Sequence, residues 1–303
     1  MLSSVWSTIF EPGFFSNQPV QVALILGAVV SVVSAIVGTF TVIRGQSFAG
    51  HTLADIGAAG GSAAVLVGAP TLYGFVVSNV LAAAVMEVIG IRRPRGRDLA
   101  TGIVLGAALG FAALFLYLDT TRSSTTGATT SILFGSLFTV DPSIVPAAVL
   151  FGVIIVVLIA VLYRPLLLTS VDYDLAAVRG VPVRLVGTGY LFTLALAVSL
   201  SAITVGAILS TALLIGPAAA SLRVTARTGT ALLVASVLGV AATWIGIVIA
   251  YDSADWSSSG QGVPVSFCIV CVVFALYILA GLPARFGRVR LTRRVPARAV
   301  SVQ

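Results

Sequence analysis

Apolar runs long enough to cross a bilayer recur along the whole chain, and the charged residues are confined to the short segments between them. That pattern leaves few folds open. A soluble domain carries roughly a quarter charged residues. Here 9% of 303 residues are charged, 58% are hydrophobic, and the mean hydropathy is +1.12. A hydrocarbon core of about 30 Å takes about 20 apolar residues to cross as a helix, and it accepts only structures whose backbone polar groups are satisfied internally. Barrel strands alternate polar and apolar residues over about ten positions, whereas these runs are continuous. The chain therefore reads as an all-α polytopic membrane protein.

The runs fall at residues 20–43, 52–68, 72–91, 99–118, 143–163, 185–205, 206–222, 230–250 and 263–282. The break between the sixth and seventh is weak, so eight or nine transmembrane helices are expected. Residues 119–130 are polar and read as a loop. Residues 131–140 are apolar but too short to span, which suits a short or re-entrant element. The formal net charge is +7, and every basic residue is arginine. With the amino terminus outside, nine crossings put Arg44, the arginines of residues 92–97 and 164–184, Arg223, Arg227 and those of residues 283–303 on one side. The positive-inside rule makes that side cytoplasmic. The opposite loops hold Arg122 against Asp119, Asp141, Asp252 and Asp255. The expected organisation is an extracytoplasmic segment at 1–19, one membrane domain at 20–282 with a cytoplasmic loop at 164–184, and a basic cytoplasmic tail at 283–303. The charge excess thus reports orientation rather than a nucleic-acid partner; the tail can also meet anionic membrane lipid.

Four features stand out against this background. His51, the one histidine, lies four residues before Asp55 at the mouth of the second run. That spacing puts imidazole and carboxylate on one helical face, and both are ligands for zinc, manganese and iron. The same residues admit another reading, in which Thr52-Leu53-Ala54-Asp55 is a capping box that starts the span. Gly57, Gly60 and Gly61 form a small-residue face, suited either to tight helix packing or to a pathway wall. In the loop from 171 to 185, Asp172 starts a short helical pattern with Leu175, Ala176 and Val178 on one side, stopped by Gly180 and Pro182. Such a helix either docks on a partner or lies on its own protein. Finally, Gly216-Pro217 inside the seventh run removes a backbone hydrogen bond, as at a kink or along a transport path. Cys268 and Cys271 sit in a uniformly apolar run and read as packing residues. No P-loop, GxSxG or HExxH pattern occurs, so the chain does not hydrolyse ATP by a P-loop, and any energy input comes from a partner or from an ion gradient.

Taken in order, these pieces resemble the permease subunits of bacterial zinc/manganese/iron ABC importers. The resemblance runs from about Leu24 to Leu282. It rests on Gly50-His51-Thr52-Leu53-Ala54-Asp55, Asp98-Leu99-Ala100-Thr101-Gly102-Ile103, Leu133-Phe134-Gly135-Ser136-Leu137, the loop from Asp172 to Val183, and Leu213-Leu214-Ile215-Gly216-Pro217-Ala218-Ala219-Ala220. The family usually places aspartate first and histidine second in the i,i+4 pair; here they are exchanged.

The resemblance implies a transport subunit rather than an enzyme, in the bacterial plasma membrane. Its partners would be cytoplasmic ABC ATPase subunits that bind ATP, an extracytoplasmic metal-binding protein, and a second permease copy. The divalent metal ion would be cargo, with no cofactor held by this chain. His51 and Asp55 would contact the metal. Asp172, Asp174, Arg179 and Gly180 would form the coupling loop to the ATPase, and Gly216 and Pro217 a kink along the path. Two alternatives stay open from the residues: a gradient-driven secondary transporter, for which Glu87 and Asp55 are the available acidic groups, and a permease for a larger chelate or vitamin.

Overall fold

The computed structural model describes residues 14–88, 94–123, 132–135, 137–138, 140–256 and 262–292. Arg92, Arg93, Ser136, Arg293, Arg294 and Arg298 lie outside the described residues. After a short 3-10 turn at Phe14–Ser16 come α1 (Gln18–Ile43), α2 (Ser47–Leu66), α3 (Thr71–Val88), α4 (Pro94–Ser123), α5 (Ile144–Val171), α6 (Tyr173–Val178), α7 (Val183–Val205), α8 (Ala207–Val224), α9 (Thr228–Trp256) and α10 (Val265–Thr292). Among the described residues there is no strand. Eight of these helices have the length and hydropathy to cross a membrane. α2 has 20 residues and is not one of the eight, because its glycines, alanines, serines, His51 and Asp55 dilute its apolar content.

Several helices extend beyond their apolar runs. α4 continues through Asp119 to Ser123, residues read as loop, and it begins at Pro94 inside the segment read as a basic loop. α5 runs past Arg164 and Pro165 to Val171, α9 reaches Trp256, and α10 carries Arg285, Arg288 and Arg290 in its last turns. The reason is physical: apolarity ends where hydrocarbon ends, but backbone hydrogen bonding does not. Pro165 removes one helical bond. The turn after it is reinforced by the Thr169 and Ser170 hydroxyls, which both donate to the Leu166 carbonyl at 3.0 and 2.6 Å.

The weak break between the sixth and seventh runs proves sharp. Gly206 has φ 94° and alone joins α7 to α8. Side chains rarely accept that conformation. The Leu133-Phe134-Gly135 element lies against this corner: a Cβ on Gly135, itself at φ 74°, would strike Val205, and one on Gly206 would strike Phe134. Ser266 of α10 donates to the Phe134 carbonyl, with the Val205 carbonyl 3.3 Å away. Within this short apolar segment Ile132 and Leu137 are almost fully covered, while the Phe134 side chain stays exposed.

α1 is the central pillar and packs against α5, α7, α8 and α9. Its polar contacts include paired hydroxyls: Ser31 with Thr243 of α9 at 2.6 Å, and Ser34 with Ser201 of α7 at 2.7 Å. Lipid is as apolar as leucine, so helices there associate through close packing and hydrogen bonds. α2 packs chiefly on α3 and α4, and also on α7 and α8.

Candidate metal-contact site and coupling helix

α2 starts five residues earlier than its apolar run, after an uncapped Gln46. Thr52 therefore lies inside the helix, where its hydroxyl donates to the Phe48 carbonyl at 3.0 Å. This rules out the capping-box reading: Asp55 sits more than two turns in and cannot cap.

The small-residue face of α2 is resolved as packing. A Cβ on Gly57 would come within 2.8 Å of Phe75, one on Gly61 within 2.6 Å of Phe75, and one on Gly60 would collide with Ser78 and the Gly74 carbonyl. All three positions press on α3. The opposite face carries Phe48, His51 and Asp55, which this chain leaves partly open.

Local packing fixes where that face looks. Gly50 lets α2 approach α8, since a Cβ there would stand 2.8 Å from the Leu214 side chain. From the other side, Gly38 of α1 abuts the Leu214 carbonyl. Leu214 is wedged between two glycines, which brings Thr211, one turn earlier on α8, to the His51 ring. Nδ1 of His51 and Oγ1 of Thr211 are 3.2 Å apart. Nε2 of His51 lies 3.6 Å from Oδ2 of Asp55, with the two side chains 48% and 18% exposed.

With Nδ1 protonated, Thr211 accepts its hydrogen bond and the Nε2 lone pair points to the Asp55 side. The arrangement then offers one imidazole nitrogen and one carboxylate to a cation. Among the described residues no cluster of three or more His, Cys, Asp or Glu occurs. A single chain thus provides an open two-ligand corner rather than a closed four-ligand cage of the structural zinc type.

Thr211 was not singled out in the sequence. A threonine in an apolar run carries no pattern, and only the α2–α8 crossing gives it a partner. Gly216 and Pro217 do not join the site. Pro217 lies inside an unbroken α8 with its ring toward Gly239 of α9, and Gly216 faces Val273 of α10. Glu87 is exposed in the last turn of α3. Cys268 is buried and Cys271 exposed, both free thiols.

The loop before α7 folds as its residues dictate. Asp172 caps α6 by accepting from the Leu175 amide at 2.9 Å, Asp174 lies in the first turn, Arg179 is the C-cap, and Gly180 follows at φ 78°. One detail differs from the sequence reading. Ala176 is fully buried against its own protein, while Val178 is 86% exposed and Leu175 also faces outward. Val171 at the end of α5 and Leu185 at the start of α7 are also exposed.

The chain is 27% identical over 275 residues, 90% of each chain, to the manganese transport system membrane protein MntC of Halalkalibacterium halodurans. It is 28% identical over 277 residues to the manganese import system permease protein ScaB of Streptococcus parasanguinis, covering 90% of this chain and 93% of the relative. Among solved structures, PsaBC from Streptococcus pneumoniae in complex with Fab matches with a TM-score of 0.75 and 27% identity, covering 92% of this chain and 95% of that one. With its apolar membrane-length helices, the protein is a multi-pass protein of the bacterial plasma membrane. The model of the ABC 3 transport family matches residues 16–281, and the chain belongs to that family as a membrane permease subunit.

Proposed function

We propose that this chain forms the translocation path of an ATP-driven importer for a divalent metal ion, with manganese as its first cargo and zinc and iron as competitors. The observation that carries this reading is the His51–Asp55–Thr211 corner. It is a metal-competent pair on a partly open face, and the second ring nitrogen is held by the Thr211 hydroxyl, which orients the ring. Manganese accepts both imidazole and carboxylate. The relatives named for manganese transport favour that ion. A path must release what it takes up, so a two-ligand corner suits passage. A second copy related by a two-fold axis would bring a second corner to the same path.

Under this reading the amino-terminal side is extracytoplasmic and receives metal from a separate binding protein. α6 faces the cytoplasm, where the outward Leu175 and Val178 with Asp174 and Arg179 dock on an ABC ATPase. ATP binding closes the ATPases and moves α6.

The test is manganese uptake into proteoliposomes holding the permease with its ATPase and binding protein. Uptake requires ATP and persists when the proton gradient is collapsed. His51→Ala and Asp55→Ala each lose uptake while still assembling with the ATPase. Wild-type uptake by both variants would remove the site from the path, and uptake driven by a gradient without ATP would replace the importer reading with a secondary transporter.

A further inference from the structure

Arg44 ties the α1–α2 corner to the end of α5. α1 ends in a Schellman turn: the Gln46 amide donates to the Thr41 carbonyl at 2.8 Å and the Gly45 amide to the Val42 carbonyl at 3.1 Å, with Gly45 at φ 65°. Arg44 is the C-cap of that turn. Its Nη1 donates to Thr169 Oγ1 at 3.0 Å and stands 3.4 Å from Ser170 Oγ. Both hydroxyls spend their own protons on the Leu166 carbonyl, so their lone pairs are left to accept from the guanidinium. Thr169 and Ser170 come three and two residues before Asp172, the cap of α6.

The helix after α6 reaches the same corner. Tyr190 of α7 is fully buried, and the Arg44 guanidinium lies 5.3 Å from its ring centroid. Its hydroxyl pairs with Thr41 Oγ1 at 2.6 Å and donates to the Val37 carbonyl at 3.2 Å. Both helices that flank α6 therefore grip the end of α1. Three residues after Arg44, α2 begins without a side-chain cap. Gly50 and His51 follow within about one and a half turns of that start.

We infer that Arg44 is a positioning residue that couples movement of α6 to the His51–Asp55 corner. Displacement of α6 moves Thr169 and Ser170, the guanidinium carries that shift to the α1–α2 turn, and the start of α2 moves with it. One guanidinium nitrogen, Nη1, reaches both hydroxyls while the charged group lies over the Tyr190 ring, so a single side chain touches both helices that flank α6.

This inference rests on the proposed docking of α6 on an ATPase, and the experiment separates the two. The complete transporter, with ATPase and binding protein, is reconstituted and both ATP hydrolysis and manganese uptake are measured. Arg44→Gln lowers manganese carried per ATP on the order of tenfold, with basal hydrolysis within about twofold of wild type. Thr169→Val combined with Ser170→Ala, near-isosteric at both positions, gives a loss in the same direction by severalfold. Joining these to Arg44→Gln adds nothing further, because all three remove one link. Val178→Asp on the outer face of α6 is the control.

If Val178→Asp uncouples transport but Arg44→Gln and the hydroxyl pair keep the wild-type ratio, the Arg44 link is overturned and the docking reading stands. If Val178→Asp changes nothing, the docking reading itself fails. Equal loss of basal hydrolysis and uptake, or additive effects in the combined variant, would reduce Arg44 to a structural brace and overturn the inference. Should Arg44→Gln not assemble, the hydroxyl pair decides alone.

Discussion

The helices α7 and α8 contrast with α5 and α10. The first two have mean hydropathies of 1.7 and 1.6 across their spans and are 61% and 50% buried within the protein. The second two reach 3.2 and 2.7 and are each 22% buried. The two most apolar helices are thus far less covered by the rest of the chain than α7 and α8, the reverse of what a soluble fold requires. In a bilayer the lipid is itself the apolar environment, so hydropathy alone drives no helix inward. Helices go inside because they carry small residues that permit close approach and polar groups that must find partners. α7 and α8 bury Ser199, Ser201, Thr204, Ser210 and Ser221, and α8 brings Thr211 to His51. α1 shows that high hydropathy does not prevent burial when glycines and paired hydroxyls are present: its span has a mean hydropathy of 2.5 and is 61% buried.

The sharpest test of this contrast uses glycine. Gly38, against the Leu214 carbonyl, is replaced by valine, and so is Gly106 of α4, which has nothing within 4 Å of where a Cβ would stand. Gly38→Val costs about 3 kcal/mol or more and yields little folded permease by thermal unfolding in detergent. Gly106→Val leaves the melting temperature of the single chain unchanged. Comparable losses at both positions would erase the distinction between inner and outer faces.

Next in size is the metal corner. The double variant His51→Asp/Asp55→His keeps one imidazole and one carboxylate on the same face. It is expected to retain manganese uptake at least about tenfold above either alanine variant. Uptake no better than His51→Ala would show that ligand depth, set by the contact of position 51 with Thr211, matters more than ligand identity.

Thr211→Val, which removes the partner of His51 Nδ1 while keeping shape, should weaken manganese affinity about tenfold, read as a raised half-saturating concentration with normal assembly. Smallest is Ser34→Ala. Loss of the bond to Ser201 should cost about 0.6 kcal/mol, a shift of a degree or two in unfolding; a loss of several kcal/mol would mean that hydroxyl pairs rather than close packing hold the inner helices together.

Much of this was legible along the chain. The apolar runs gave the membrane class and all eight membrane-length helices, because crossing a bilayer is a local demand on length and polarity, though they also counted α2, which is not one of the eight. Asp172, Gly180 and Pro182 bounded α6 correctly, since caps and turn residues act on their own neighbourhood. The i,i+4 spacing of His51 and Asp55 placed both on one face, and the structure keeps them there. Where local signals conflicted, the sequence stayed undecided: Thr52 to Asp55 matched a capping pattern equally well, and only the start of α2 at Ser47 excluded it.

The sequence by itself determined what depends on neighbours within a few residues: helical spans, turns, the pair on one face and the short helix α6. The tertiary structure alone decided what depends on residues far apart in the chain. The glycines of α2 and of α4 are alike as letters, yet Gly57, Gly60 and Gly61 are pressed on α3 while Gly102, Gly106 and Gly110 face open space. Thr211 lies 160 residues from His51, and Thr169 lies 125 from Arg44. No periodicity encodes such partners, because they arise from the angles at which whole helices cross.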